Sequence, residues 1–267
     1  MIEDVERTTG KPVVLRPELG LRGKAHASYA ASDPDESRHL ILYDPEFASS
    51  INHLVPHELG HVSLFAYAGN RDRLLPHIGP EQRRLSRTTL RREVPRHALD
   101  VLKSETETDA FLDLWSDGLV MQVYNYPQDI LIERSVFESH PALRSSQRGS
   151  IAQLAQEAHD GLTARAITLT PRTVTLAAQS MNYALLKSCS GYLGAPWMVR
   201  PYRNTSMERT GEELLDLLRA SAPENLGDCL DVTGVWSRRL GVDGWFRLDR
   251  ARSSREQTRS FWEPPQN

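Results

Sequence analysis

The chain has 267 residues, with 32 basic and 35 acidic side chains and a formal net charge of −3. A charge so close to neutral gives no general electrostatic reason to bind nucleic acid, and we do not expect a nucleic acid partner. The content of hydrophobic residues, 39%, and of charged residues, 25%, is ordinary for a globular protein.

Neither the apolar runs nor the first residues indicate a membrane protein or a secreted protein. No apolar run approaches the roughly 18 residues of a membrane span, so we expect no membrane association. Residues 1–7 are too acidic and polar for a signal peptide. Cys189 and Cys229 are the only cysteines, and neither belongs to a C-x-x-C pair. Together these features predict a cytoplasmic protein with buried thiols.

Three short apolar segments near the start of the chain predict a small sheet. The first is Pro12-Val13-Val14-Leu15, and the other two cover residues 25–31 and 39–43. A polar segment rich in turn-forming residues, 32–37, separates the second and third segments. Two β-prone runs joined in this way predict a hairpin or a pair of neighbouring strands.

The next segment contains the motif His57-Glu58-Leu59-Gly60-His61 inside a predicted helix. Apolar residues recur around it at helical spacing: Ile51, Leu54, Val55, Leu59, Val62, Leu64 and Phe65. Gly69 supplies a stop signal. Pro56 is unfavourable in a helix interior, so we expect the helix to begin near His53 or Leu54. His53 would then extend the same face.

The spacing of this motif has a direct chemical meaning. Two histidines four residues apart lie one turn apart on one face of a helix, where both can bind a single Zn²⁺ ion. Glu58 then lies within reach of a water molecule on the metal. These residues and their flanks resemble the zincin metallopeptidases. The resemblance implies a small twisted sheet over the motif helix, one zinc ion bound by His57 and His61, and Glu58 as general base.

A catalytic zinc ion normally has three protein ligands, so the sequence must supply a third. The zincin subclass with a third histidine requires H-E-x-x-H-x-x-G-x-x-H. Leu64 and Tyr67 occupy the glycine and histidine positions of that pattern here. The third ligand is therefore expected to be a carboxylate from a later helix.

One source of this carboxylate is the segment 104–111. Ser104 and Glu107 form a predicted capping box, and acidic residues in a first turn favour the helix dipole, which explains Glu105 without any metal. The segment also resembles part of the ImmA/IrrE-type metallopeptidases, although Thr108 and Leu112 depart from that pattern.

The other source is the segment 124–133, where Pro127 predicts the first turn of a new helix. Asp129 and Glu133 are then one turn apart on one face. Carboxylates among so many apolar residues are costly to bury unless they pair or bind metal. We favour Glu133 as the third ligand, ahead of Glu105, with Asp129 as its second-layer partner or a rival. The segment resembles zincins with a glutamate ligand followed by an aspartate, but the order here is reversed, which leaves the assignment open.

An arginine-rich insertion, residues 70–103, separates the motif from these carboxylates. Its arginines lie among three prolines: Arg71, Arg73, Arg83, Arg84, Arg87, Arg91, Arg92 and Arg96. We interpret it as a solvated helical insertion. The alternative is a lid, or a docking surface for an acidic protein partner formed by residues 71–96.

Residues beyond 140 are predicted to be mostly helical, so the expected fold class is predominantly helical α+β. We expect an N-terminal catalytic part, residues 1–140, and a helical C-terminal part, residues 141–267, packed together around one cleft. The predicted function is a cytoplasmic zinc metallopeptidase acting on a peptide or protein, with a regulatory protease as one form of it. The alternatives are a zinc hydrolase of another bond and a catalytically silent zinc-binding protein.

Overall fold

The computed structural model describes residues 1–21, 24–28, 37–94 and 104–250. Within them the chain is predominantly helical and has two small sheets, which confirms the predicted α+β class. In this part of the chain no helix is both long enough and apolar enough to cross a membrane.

The N-terminal sheet follows a short helix, α1 (Ile2–Thr9). Its strands are β1 (Val13–Pro17), β2 (Ala25–Ser28) and β3 (His39–Tyr43). β3 is central, with β1 parallel to it on one side and β2 antiparallel on the other. The predicted strands are confirmed, including the neighbouring pair β2 and β3. Residues 29–31, also assigned to the second strand, lie outside the described residues.

The motif helix is α2 (Ile51–Tyr67), and it follows a 3₁₀ segment, Pro45–Ser50. The predicted start near His53 or Leu54 is wrong, because the helix begins at Ile51 and Pro56 lies in its second turn. Proline has no N–H, so the backbone bond from residue 56 to residue 52 is lost, and the helix continues past this single gap. The predicted end before Gly69 is confirmed.

The sheet lies against α2 through a small apolar core. Its buried members come from α1, β2, β3 and α2: Val5, Ala27, Ile41, Val55, Leu59 and Val62. Val55, Leu59 and Val62 are on the face of α2 that meets the sheet, so the motif histidines are on a helix that is fixed from one side.

A long helix, α4 (Glu105–Ser139), follows β4 (Leu74–His77) and α3 (Pro80–Glu93). Ser104 caps α4, since its Oγ accepts the N–H of Glu107 at 3.1 Å. The prediction that Pro127 opens a new helix is wrong, because α4 runs through it without a break over 35 residues. Pro127 is buried in the packed middle of the chain, and this packing outweighs the roughly 3 kcal/mol that an interior proline costs a helix.

The remaining elements are helical apart from a last short strand. They are α5 (Arg144–Asp160), α6 (Ala164–Leu169), α7 (Arg172–Tyr192), α8 (Ser206–Ser221), α9 (Leu226–Leu240) and β5 (Arg247–Arg250). The largest apolar core joins α4 to α7, α8 and α9, with Val120, Met181, Leu214 and Trp236 among its members. β5 pairs with β4. Contacts therefore cross residue 140, while the division of the chain at that residue stays a prediction.

Candidate metal centre

Helices α2 and α4 approach each other closely at the motif glycine. A Cβ atom at Gly60 would lie 2.5 Å from Cγ2 of Ile132, too close for any residue other than glycine without movement of Ile132. Gly60 is adjacent to His61, and Ile132 is adjacent to Glu133. This contact therefore sets the separation of the two helices at the candidate site.

Each of the two helices contributes three polar side chains to the space beside this contact. On α2 they recur every four residues and so lie on one face: His53, His57 and His61. On α4 they are Gln128, Asp129 and Glu133. Only the His57 side chain, 19% exposed, and the Asp129 side chain, 12% exposed, have appreciable access to solvent.

Three ligand atoms form a small triangle in this space. His57 Nε2 and His61 Nε2 are 3.2 Å apart. Asp129 Oδ1 lies 3.5 Å from the first and 3.0 Å from the second. Ligand atoms of a tetrahedral zinc ion, with bonds of about 2.0–2.1 Å, are separated by about 3.3 Å. The triangle therefore has the dimensions of one face of a zinc coordination shell.

The outer nitrogens of the two motif histidines are bound to oxygen atoms. His57 Nδ1 lies 2.8 Å from Glu133 Oε1. His61 Nδ1 lies 3.4 Å from Gln128 Oε1, while the amide nitrogen of Gln128 donates to the carbonyl of Tyr124. Carboxylate and carbonyl oxygens only accept hydrogen bonds, so both Nδ1 atoms carry the proton. In the neutral rings, Nε2 then has a free electron pair.

The triangle consequently brings three electron pairs together. Asp129 Oδ1 is buried and makes no hydrogen bond with the described residues. Two imidazole electron pairs and a carboxylate oxygen within 3.5 Å repel each other unless a cation lies among them. A metal ion meets this need, and in its absence a proton does. These residues thus fit a metal ion by chemistry as well as by distance.

The protonation of His57 reflects the same surplus of negative charge. Burial lowers the pKa of His57, but the hydrogen bond to Glu133 and the charges of Asp129 and Glu133 outweigh burial and raise it to about 10. Burial raises the pKa of Glu133, but hydrogen bonds from His53 and His57 reverse this and bring it well below its ordinary value. Glu133 is therefore an ionised carboxylate inside the protein.

Glu58 is next to the first ligand atom along the chain and is partly buried. Its charge is also one of the influences that raise the pKa of His57, which places the carboxylate close to the cluster. Within the part of the chain that the structure describes, Glu58 takes no part in a hydrogen bond or an ion pair. The carboxylate is thus free to accept a proton.

The structure brings together most of the side chains that the sequence selected. His57, His61, Asp129 and Glu133 lie in one cluster, and His53 extends it as expected. The two motif histidines are grouped with Asp129, whereas Glu133 is grouped with His53 and His57. The sequence favoured Glu133 as the partner of both motif histidines, and in the structure Asp129 has that place.

Glu105, the other candidate, lies outside this cluster. It is at the start of α4, 24 residues before Asp129, or roughly 36 Å along a helix that rises 1.5 Å per residue. Its side chain is 82% exposed and pairs with Arg91. Two side chains of the cluster were missed by sequence reasoning, Gln128 and Gln147. Gln128 adjoins Asp129 within an apolar run, where an amide needs a partner, but no local pattern marks Gln147.

The arginine-rich insertion is helical where it is described, in α3, and its arginines face α4. Residues 83, 87 and 91 form a ladder with acidic residues that also recur every four positions on α4: Asp109, Asp113 and Asp117. Arg87 binds Asp113 through two nitrogens, at 2.7 and 2.5 Å. These arginines therefore have acidic partners within the chain. Arg96 and His97 lie outside the described residues.

No protein-family model, curated protein or solved structure matches this chain. Its function is therefore inferred from the geometry of the cluster. Within the described residues, the side chains that could hold a metal ion are His53, His57, His61, Asp129 and Glu133.

The close approach at Gly60 gives a first prediction. The variant Gly60→Ala should move α4 away from α2, lower the free energy of unfolding by about 1–3 kcal/mol, and weaken metal binding at least about tenfold. Thermal unfolding and chelator competition measure the two effects. Removing the obstructing side chain in the double variant Gly60→Ala with Ile132→Ala should restore part of the metal affinity.

Gly118 provides the matched control for this prediction. It also lies inside a helix, α4, but a Cβ atom there would meet nothing within 4 Å. Gly118→Ala should therefore stabilise the protein by about 0.5–1 kcal/mol and leave metal binding unchanged. If Gly60→Ala behaved in the same way, the close approach would not constrain the site.

Proposed function

We propose that this chain is a cytoplasmic zinc-dependent metallopeptidase that hydrolyses a bond in a peptide or protein substrate. One Zn²⁺ ion would be held by His57, His61 and Asp129, and Glu58 would be the general base. The observation that carries this proposal is the triangle of His57 Nε2, His61 Nε2 and Asp129 Oδ1, with edges of 3.0–3.5 Å, next to an unpaired carboxylate in the motif. The two cysteines, both free and buried, fit a reducing compartment.

The proposal exchanges the roles that the sequence favoured for the two carboxylates. Glu133 is bound to the far nitrogen of His57, so it would act as the acceptor that fixes the ring and makes it a better ligand. Gln128 has the same place on His61, as a neutral acceptor. Asp129 has an oxygen without a hydrogen bond directed into the triangle, which is what a ligand requires.

Zinc is the ion we expect, because two imidazoles and one carboxylate leave a fourth position open in a tetrahedral shell. When bound, Zn²⁺ lowers the pKa of water and polarises a carbonyl group. Two histidines and one carboxylate also suit Fe²⁺ in oxygenases. Hydrolysis, unlike oxygenation, needs a general base, and Glu58 supplies an unpaired carboxylate for it.

The residues of the chain would divide the proton transfers between them. Glu58 accepts the proton of the attacking water and later returns it to the departing amine nitrogen. His57 and His61 stay neutral at Nε2, since Glu133 and Gln128 hold their protons at Nδ1. Asp129 remains ionised beside them, and its negative charge balances part of the charge of the metal.

An extended peptide is a suitable substrate because of the position of β2. In the described part of the chain β2 pairs only with β3, so its other side is an open edge of the sheet. Ala27 of β2 packs with Val55 and Leu59 of α2, which places this edge beside the motif helix. An extended segment can add to such an edge by main-chain hydrogen bonds.

The variant Glu58→Gln tests the proposed function. The wild-type chain, stripped with a chelator and reloaded with one equivalent of zinc, should cleave members of a mixed peptide library, as followed by mass spectrometry. Glu58→Gln should bind zinc as tightly but cleave at least about 100-fold more slowly, because glutamine cannot accept the proton.

Glu138→Gln is the control for this experiment, since Glu138 is an exposed glutamate on α4 that pairs only with Arg134. It should cleave like the wild type. Equal cleavage by Glu58→Gln and the wild type would contradict the role of Glu58. A zinc-loaded wild type without cleavage would favour the catalytically silent zinc-binding protein.

A further inference from the structure

One carboxylate of the cluster, Glu133, is held by more groups than the His57 ring alone requires. Its Oε1 accepts His57 Nδ1–H at 2.8 Å. Its Oε2 accepts from His53 Nε2 at 3.0 Å and from the amide nitrogen of Gln147 at 2.6 Å. The same amide also donates to the main-chain carbonyl of Glu133, at 2.8 Å. Glu133 is thus fixed from α2, from α5 and through its own backbone.

His53 and Gln147 are costly residues to place where they are. His53 is 3% exposed and Gln147 is fully buried. Each leaves one polar atom buried without a hydrogen bond in the described part of the chain, Nδ1 of His53 and Oε1 of Gln147. Burial of an unpaired polar atom is unfavourable, and an apolar side chain at either position would avoid it. A role in core packing alone does not account for them.

We propose that His53 and Gln147 are positioning residues that act on the metal centre through Glu133. They hold the Glu133 carboxylate in the orientation that accepts His57 Nδ1–H, and they thereby direct the free electron pair of His57 Nε2 toward Asp129 and His61. This inference rests on the proposed metal site but not on the reaction performed there. Its test is therefore metal binding, with no substrate present.

A different interpretation of these atoms is a second metal site, because His53, His57 and Glu133 also form a group that could hold an ion. The hydrogen bonds argue against it. His53 and His57 already lie 3.0 and 2.8 Å from the two carboxylate oxygens, as donors. The amide N–H of Gln147 is directed at the same oxygen, Oε2, and its positive hydrogen would repel a cation there.

The test measures the affinity for Zn²⁺ by chelator competition and the absorption spectrum of the Co²⁺-loaded chain. His53→Ala should lower zinc affinity about tenfold, as is usual when the outer support of a metal-bound histidine is removed. His53→Gln retains an N–H donor and should recover most of the affinity. Gln147→Leu should weaken binding in the same direction as His53→Ala. The Co²⁺ spectrum should change in His53→Ala, because the His57 ring is reoriented.

A double-mutant cycle separates positioning from a general loss of structure. In a Glu133→Ala background, His53→Ala should change zinc affinity less than about twofold, because the group through which it acts is absent. The control is His39→Gln, which alters another fully buried histidine, bound to Thr9 at 2.9 Å. It should lower the melting temperature and leave zinc affinity unchanged.

Three results would overturn the inference. The first is an equal effect of His53→Ala with and without Glu133. The second is His53→Gln as weak as His53→Ala. The third is two zinc ions in the wild type and one in His53→Ala, which would make His53 a ligand. Failure of the proposed peptidase reaction would appear as tight zinc binding without cleavage, and it would leave these affinity measurements intact.

Discussion

Replacing Asp129 with alanine is expected to lower zinc affinity on the order of 1000-fold, whereas Glu133→Ala should lower it only about 10–100-fold. Zinc bound by about four protein ligands gains roughly 10–16 kcal/mol, so one ligand corresponds to about 3–4 kcal/mol, or two to three powers of ten. Loss of a carboxylate that supports a metal-bound histidine has the smaller effect. Chelator competition at pH 7.5 measures both affinities.

The control for this pair is Asp113→Ala, an aspartate on the same helix that binds Arg87 at 2.5 Å. It should cost some stability through the α3–α4 ladder and leave zinc affinity unchanged. Glu133→Ala as severe as Asp129→Ala would return Glu133 to the role of ligand. An unchanged affinity in Asp129→Ala would remove the triangle as the metal site.

The structure explains why the sequence could select the carboxylates but not rank them. Periodicity places His57 and His61 on one face of a helix, and the same rule places Asp129 and Glu133 together on another. Which carboxylate meets the two histidines depends on how the second helix is rotated and shifted against the first. That register is set by the contact of Gly60 with Ile132, a tertiary contact that no local pattern reveals.

The helix boundaries that failed share one cause. Pro56 and Pro127 were both assigned to first turns, because proline removes a backbone donor. That rule counts one lost hydrogen bond and ignores the apolar surface that a continuous helix buries. Both prolines are buried within α2 and α4. The strands and the end of α2 were predictable, since there the local signals and the tertiary packing agree.

The arginine ladder shows a signal that was present in the sequence but attributed to another cause. Asp109 was explained by the dipole of its own helix, and Arg87 by a solvated surface. Each belongs to a series with a four-residue period, and two such series of opposite charge on adjacent helices can pair along their length. Comparison of the two periods would have predicted that α3 packs against α4.

Zinc affinity is also expected to rise about 100-fold between pH 6.5 and pH 8.5. The pKa of His57 in the metal-free chain is raised to about 10, because the hydrogen bond to Glu133 and nearby negative charges outweigh burial. Zinc requires the unprotonated Nε2, so binding below pH 10 displaces one proton, and affinity gains about tenfold per pH unit. Calorimetry in two buffers of different ionisation enthalpy should detect the release of about one proton.

The same proton links the metal to stability. The raised pKa of His57 lies above its unfolded value of 6.5, so this histidine stabilises the metal-free fold fully below pH 6.5 and progressively less as the pH rises toward 10. Zinc replaces that proton, and therefore the increase in melting temperature caused by saturating zinc should grow from pH 6.5 to pH 8.5. In Glu133→Ala the principal cause of the raised pKa is gone, so affinity should level off at a lower pH. An affinity independent of pH in the wild type would mean that His57 is already neutral, and that Asp129 and Glu133 do not act on it as a pair of charges.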